Sequence, residues 1–349
     1  MYRRAYALLL GVALLMASLA VLTATSLDKQ IVDPEGFLGP AYTRVPLLIL
    51  GALLLDMLPR AVWVSRGKPR LMWPVVVERW RSHWNRERLT LVVMGLVCFY
   101  ITYVSYRNLK SFLPEAMGTE KYDRPLHLLD QALFLGSEPA VVLHAVLGTG
   151  VVAHFLSFIY LAFLPMVPLG LTAWLIWSRN ISFGYWFATS QTLAWSLGTA
   201  SYYALPTLGP GFEYSWLYND LDNTGTTQLM DSLYNGREAV LFWDGFDGAV
   251  QSVAGFASLH VAITLLVALM AQYTLRTRWV HWVLWFNFVT TVVATLYFGW
   301  HYVADDIAGV AIALISFYIG GLASGQKFDR HGLASHPTTT TSKVPVDDA

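Results

Sequence analysis

The sequence predicts an all-α, polytopic membrane protein with about eight transmembrane helices. Three observations carry this. First, hydrophobic residues make up 55% of the 349 and charged residues only 13%, where a soluble domain carries about 25% charged. Mean hydropathy is accordingly high, +0.47. Second, eight apolar runs approach the roughly 20 residues that a bilayer-crossing helix needs. Third, the basic residues fall unevenly between the connections. Formal net charge is zero, so nothing points to a nucleic-acid partner; the expected partner is the lipid bilayer itself.

The runs lie at 5–25, 44–63, 89–106, 152–177, 183–204, 256–274, 279–299 and 304–323. The first, in "MYRRAYALLLGVALLMASLA", shares a basic start and small residues with secretory signals, but its apolar core is long for one. It reads as an uncleaved helix. The fourth begins early, near Val141, and Pro165 and Pro168 kink it rather than end it, because neighbouring helices can satisfy the freed backbone groups. With the N-terminus in the cytoplasm, 16 of the 23 Lys and Arg fall on the inner side, including the eight from Arg60 to Arg88. Lys29, Arg44, Arg107, Lys110, Lys121, Arg124 and Arg237 fall outside. The positive-inside rule supports that orientation, and short inner connections suit a plasma membrane.

The chain divides into two N-terminal helices (1–63), a basic inner loop (64–88), a six-helix core (89–323) and a polar tail (324–349) expected to be disordered. The basic loop reads as a topology-setting connection, with a docking surface for anionic headgroups as the alternative. The lone cysteine, Cys98, lies in an apolar run and forms no intrachain disulfide.

Polar chemistry collects on the outer side. "LHLLDQALFLG" (126–136) is too short to span and reads as an interfacial or re-entrant helix, with Leu126, Leu129 and Leu133 on one face. His301 and Asp305 in "YFGWHYVADDIAG" are four apart at a helix mouth, where i and i+4 share a face. Asp305 can accept the Nδ1 proton of His301 and leave Nε2 as a lone pair, which is the nucleophile–orienter half of a triad. His260, in "GFASLHVAITLL", returns to the same level because the two intervening helices form a hairpin. Amides near Ser258, at that helix's start, can face an anion.

Other polar residues have plainer readings. Asp306 reads as facing headgroups or water, with an acid supporting the site from behind as the alternative, and Asp56 pairs with Arg60 one turn away. His127 and His144 are interfacial. His154 is either functional or bonded to a backbone carbonyl. Asp130 is a lesser candidate for supporting the site.

These motifs resemble the phosphatidic acid phosphatase type 2 superfamily of membrane lipid phosphatases and phosphotransferases. Its three motifs are Lys-x6-Arg-Pro, Pro-Ser-Gly-His and Ser-Arg-x5-His-x3-Asp. "ASLH" (257–260) resembles the second and "ATLYFGWHYVADDIAG" (294–309) the third, Gly309 included. The first is absent in strict form, and "YRNLKSFLP" (106–114) occupies the comparable outer position. Leu259 replaces a Gly, and Ala294 and Thr295 replace the Ser-Arg pair. The Ser-Leu-His variant and the Pro-rich "ALPTLGPGF" (204–212) are similar to the inositol phosphorylceramide synthase branch.

The resemblance covers 89–323 and implies a phosphatase-like six-helix core. It also implies roles: His301 forms a phosphohistidine, Asp305 orients it, and His260 gives and then takes the proton, with no metal or other cofactor. A ring whose ordinary pKa is about 6.5 suits both tasks. Arg107 and Lys110 are the best substitutes for the missing arginine, with Arg237 behind them, because a phosphoryl transition state wants fixed positive charge. The expected substrate is a membrane lipid phosphate, with an alcohol or water as acceptor. Transfer of a headgroup such as inositol phosphate is expected, with simple polyprenyl or lipid phosphate hydrolysis as the alternative. A metal-dependent hydrolase and a transporter are the competing classes.

Overall fold

The structure is a computed structural model and describes residues 2–34, 41–118, 121–242, 253–328 and 334–335. All eight expected spans are helical: α1 (Arg3–Ser26), α2 (Ala41–Ser65), α4 (Arg86–Met117), the α7 (Val151–Leu161), α8 (Phe163–Leu171) and Thr172–Trp177 run, α9 (Ile181–Ala204), α12 (Leu259–Thr274), α13 (Arg278–Tyr297) and α14 (Val303–Ala323). Six helices among the described residues are long and apolar enough to cross a membrane. The chain is an all-α polytopic membrane protein.

Helix α9 is not among those six, and packing explains why. It sits at the centre, against α1, α4, α12 and α14. Its polar run Thr189–Ser190–Gln191–Thr192 is buried in protein. A helix walled in by other helices needs no apolar surface for lipid; its hydroxyls back-bond to the preceding turn, as Thr192 does to Ala188 (2.9 Å). Helix α1 packs on α4 and α9 through Ala5, Leu9, Ala13, Met16, Ala20 and Ala24. That small-residue stripe at helical spacing lets backbones approach closely.

Helix α4 runs well past the expected 106. It begins at Asn85, whose side chain accepts from Arg88 N–H, and stops at Gly118, in the left-handed region at φ 64°. Its 32 residues make a rod of about 48 Å, against about 30 Å of hydrocarbon. The surplus turns carry Arg107 and Lys110. The fourth run is broken as its residues dictate: α6 (Pro139–Leu147) ends at Gly148, and Pro165 and Pro168 lie in α8, followed by a π-helical turn at Thr172–Trp177.

The stretch 64–88, expected as a loop, contains a helix, α3 (Pro69–His83), packed on α2. It brings Arg79, not Arg60, to Asp56: Arg79 donates twice to that carboxylate, at 2.9 and 2.7 Å, and Trp84 Nε1 donates at 2.9 Å, while Arg60 is exposed. His83 contacts Ile176 O (2.7 Å), and Arg88 donates to Leu175 O (3.0 Å) and Arg179 O (3.2 Å). The basic segment therefore caps orphan carbonyls at the end of the fourth run.

The tail also begins with structure. Gln326 is buried, its amide donating to Ser182, and Phe328 packs on Trp186 and Phe317. Lys327–Phe328 pairs antiparallel with Ala334–Ser335. Residues 336–349 lie outside the described residues. Three further helices, α5 (Asp123–Leu133), the short α10 (Pro210–Glu213) and α11 (Gly225–Phe242), lie at the end of the bundle that holds His301.

Candidate active site

Five segments converge at that end, counting α7 and α8 as one. Helix α4 presents Tyr103, Tyr106, Arg107 and Lys110, spaced i, i+3, i+4 and i+7 and so sharing one face. Helices α7 and α8 contribute Tyr160 and Phe163, and α9 contributes Trp195 and Tyr202. Helix α12 contributes His260 from its first turn, and the α13–α14 turn contributes Trp300 and His301. All line one cavity of about 210 Å³. The structure thus brings together both histidines and both candidate cations.

His301 is buried, and its Nδ1 lies 3.4 Å from Asp305 Oδ2. No hydrogen bond forms between them: Nδ1 has no hydrogen-bond partner among the described residues. Asp305 Oδ2 instead accepts the Tyr302 N–H at 3.0 Å, at the start of α14. The carboxylate therefore does two jobs, capping the helix and facing the imidazole. His260 is enclosed differently. Tyr160 stacks on its ring at 4.2 Å and 12°, Phe163 packs on it at 4.0 Å, and Trp300 stacks on Tyr160 at 5.2 Å.

The two histidine segments are joined through backbone. Ser258 N–H donates to Asp305 O (3.0 Å), and Ser258 Oγ accepts from Val261 N–H (3.4 Å). Ser258 is fully buried and does not line the cavity. Its amide and hydroxyl hold the frame, so two of the N–H groups at this helix start, those of Ser258 and Val261, are satisfied by protein. A Cβ at Gly309 would lie 2.4 Å from Ser258 O, so only glycine permits this approach of α14 to α12.

Asp306 does not face headgroups or water. It is buried and accepts the Thr295 hydroxyl at 2.9 Å, so Thr295, at one of the Ser-Arg positions, now serves a carboxylate. Lys110 Nζ lies 6.0 Å from the Tyr106 ring centroid and 5.7 Å from that of Tyr202, a cation–π setting that aims it without neutralising it. Arg107 donates to Tyr103 OH at 3.4 Å. Arg237 lies outside this cavity, 3.4 Å from Glu238. His154 reaches Asp222 at 3.6 Å with both side chains exposed. His127 stacks on Tyr214, and His144 meets Tyr297 O at 2.9 Å.

The Pro-rich loop is the junction of the site. Gly255 N–H donates to Thr207 O and Phe256 N–H to Thr207 Oγ1, both at 2.8 Å, tying it to the His260 segment. Gly211 N–H donates to Gly299 O at 2.7 Å, tying it to the His301 segment. Gly209 sits at φ 99° with Trp300 O against it, 2.4 Å from where a Cβ would stand. Asp123, which spacing alone did not single out, accepts from Leu208 N–H, Gly209 N–H and Tyr302 OH. Burial pushes the Asp123 carboxyl up, against the lowering effect of those donors.

The family model of the PAP2 superfamily matches residues 124–319. The chain belongs to the PAP2 superfamily. The match runs from the helix bearing Asp130 into α14, so it takes in His260, His301 and Asp305 and leaves out the α4 cations. No curated protein matches the chain, and no solved structure does. Among the described residues of this PAP2 protein, no three His, Cys, Asp or Glu side chains are grouped to hold a metal ion. Membership makes the chain a phosphatase-type lipid enzyme of the membrane.

Proposed function

We propose that this PAP2 protein transfers a phosphate-bearing headgroup, such as inositol phosphate, from a membrane lipid to an alcohol by way of His301. The observation that carries the reading is the joint placement of His301 and His260 on one cavity, with Asp305 Oδ2 3.4 Å behind His301 Nδ1. Nδ1 faces a carboxylate, so Nε2 is the lone pair. It attacks phosphorus, a P–N bond forms, and the P–O bond to the lipid alcohol breaks. The leaving oxygen takes a proton from His260. Neutral His260 then accepts the proton of the acceptor hydroxyl, whose oxygen attacks phosphorus and frees His301. Arg107 and Lys110, on the same cavity, balance charge on the phosphoryl oxygens.

The inositol phosphorylceramide synthase-like branch is favoured by Ser-Leu-His and by the Pro-rich loop that joins both histidine segments. The distribution of Lys and Arg supports an active site on the outer leaflet of a plasma membrane, with the N-terminus inside. With water as acceptor, the same steps give hydrolysis.

The experiment is turnover of labelled phospholipids and polyprenyl phosphates by the purified protein. A new phosphodiester is expected with an alcohol present, inhibited by vanadate and indifferent to chelators. Inorganic phosphate as the sole product would reassign the acceptor to water. Normal turnover by His301→Ala would remove the proposed nucleophile.

A further inference from the structure

We propose that Asp123 and Asp130 are positioning residues, which clamp the His301–Tyr302–Val303 turn from one face of α5. The proposal rests on the reading that His301 is the reacting group. The two acids are seven residues apart, two helical turns, and so share a face. Both are 2% exposed, while Leu128, Leu129 and Leu133 of the same short helix face outward.

The two carboxylates reach adjacent residues of that turn. Asp130 takes the Val303 N–H between its oxygens, at 3.2 and 3.3 Å. Asp123 Oδ1 takes the Tyr302 hydroxyl at 3.0 Å. Asp305 already takes the Tyr302 N–H. The two amides that follow His301 are thus each fixed by a different carboxylate, and the next side chain is fixed by a third. Two free N–H groups at a helix start would otherwise leave this turn several conformations. The ring of His301 is carried on that turn, so the direction of its Nε2 follows from the clamp.

The acids that hold the turn are gathered at a cost. Asp305, Asp306 and Glu138 all bear on Asp130 electrostatically, and the nearest cationic candidate at Glu138, His127 Nδ1, lies 3.3 Å from that acid. Like charges gathered in a buried place oppose folding. Such a conflict is expected where geometry for function outweighs local stability. Neither Asp123 nor Asp130 lines the cavity, which makes them positioning groups and not ligands.

The test uses the full chain, reconstituted in liposomes, with Asp130→Ala, Asp130→Asn, Asp123→Ala and Tyr302→Phe. Asp130→Ala is expected to lower kcat about 100-fold, the scale of an ångström of misplacement, with KM within about threefold. Asp130→Asn keeps an acceptor for Val303 N–H and should recover most of the loss. Hydrogen exchange of the 300–305 segment should speed up in Asp130→Ala and Asp123→Ala, and hardly in Asp130→Asn. Tyr302→Phe removes only the Asp123 contact and reads the clamp if an alanine variant fails to fold.

Wild-type kcat and unchanged exchange in the variants, with His301→Ala inactive, would overturn the clamp alone. A rise in KM with kcat intact would make these acids substrate ligands and also overturn it. Full activity of His301→Ala would instead remove the nucleophile, and faster exchange would still report the clamp.

Discussion

Buried acids at the two ends of this bundle meet opposite fates. Near the start of α4, Asp56 receives two bonds from Arg79 and one from Trp84. Buried Arg88 beside it donates to two carbonyls, with only its Nε lacking a hydrogen-bond partner among the described residues. At the other end, buried oxygens of Asp305 and Asp306 and the Nδ1 of His301 have no hydrogen-bond partner among the described residues. Arg88 and Arg107 are 19 positions apart on α4, about 28 Å of helix, so these are separate neighbourhoods. Charges that only hold a fold are paired as completely as geometry allows. On the proposed reading, His301 is held from behind by its own turn and keeps a face open to the cavity.

The sharpest break of this comparison is His301→Ala. Turnover should fall at least about 10³-fold, since removing a nucleophile abolishes the covalent route, while thermal unfolding stays near wild type. Arg79→Ala should do the reverse. It strands the Asp56 carboxylate and should cost about 3 kcal/mol of stability in denaturant or thermal unfolding. Activity per folded molecule should stay within about twofold. If Arg79→Ala lowers kcat without destabilising the protein, the division between the two ends is wrong.

Removing a cavity cation should come next. Lys110→Ala or Arg107→Ala should reduce kcat/KM by about 10- to 100-fold, measured on the same labelled lipid. An unchanged value for both would return them to the role of interfacial anchors. Gly309→Ala probes the frame. Its methyl would press on Ser258 O, and overpacking should cost about 1–3 kcal/mol, with kcat falling as α12 and α14 separate.

The smallest effect is one of pH. Asp130 lies outside the spans, and burial, then the charges of Asp305, Glu138 and Asp306, push its carboxyl up to about 7, against the Val303 N–H. A carboxyl raised on folding favours the folded state while protonated. That contribution is complete below about pH 4, the ordinary carboxyl range, and is lost as pH rises through about 7. Thermal midpoints compared over that window should fall further for wild type than for Asp130→Asn. Parallel curves would show that Asp130 titrates normally.

Much of this was legible along the chain. Hydropathy located the six helices that are long and apolar enough to cross a membrane, because a lipid-facing helix must meet a length and a composition; α9, walled in by protein, is released from the second. The His301–Asp305 relation needed only i, i+4 spacing, and the helix hairpin was enough to return His260 to its level. Residues paired across distant segments were not legible. Asp56 had a plausible neighbour in Arg60, and only the folding of 69–83 as a helix against α2 delivered Arg79 instead. The polar run 189–192 marks the helix that α1, α4, α12 and α14 wall in. Asp123 and Asp130 did carry a signal, two acids on one face of a Leu-rich short helix, but their targets lie some 170 to 180 positions away in sequence.

By itself, then, the sequence determined where the apolar helices lie, which end gathers the polar chemistry, and which histidine has a carboxylate one turn away. These follow from local periodicity and from the solvent. Tertiary structure alone decided which carboxylates are paired, that Ser258 N–H joins the two histidine segments, and that Tyr160 and Phe163 pack on His260. Those outcomes depend on where separate helices touch, and burial makes each such contact too consequential to be read from neighbours in the chain.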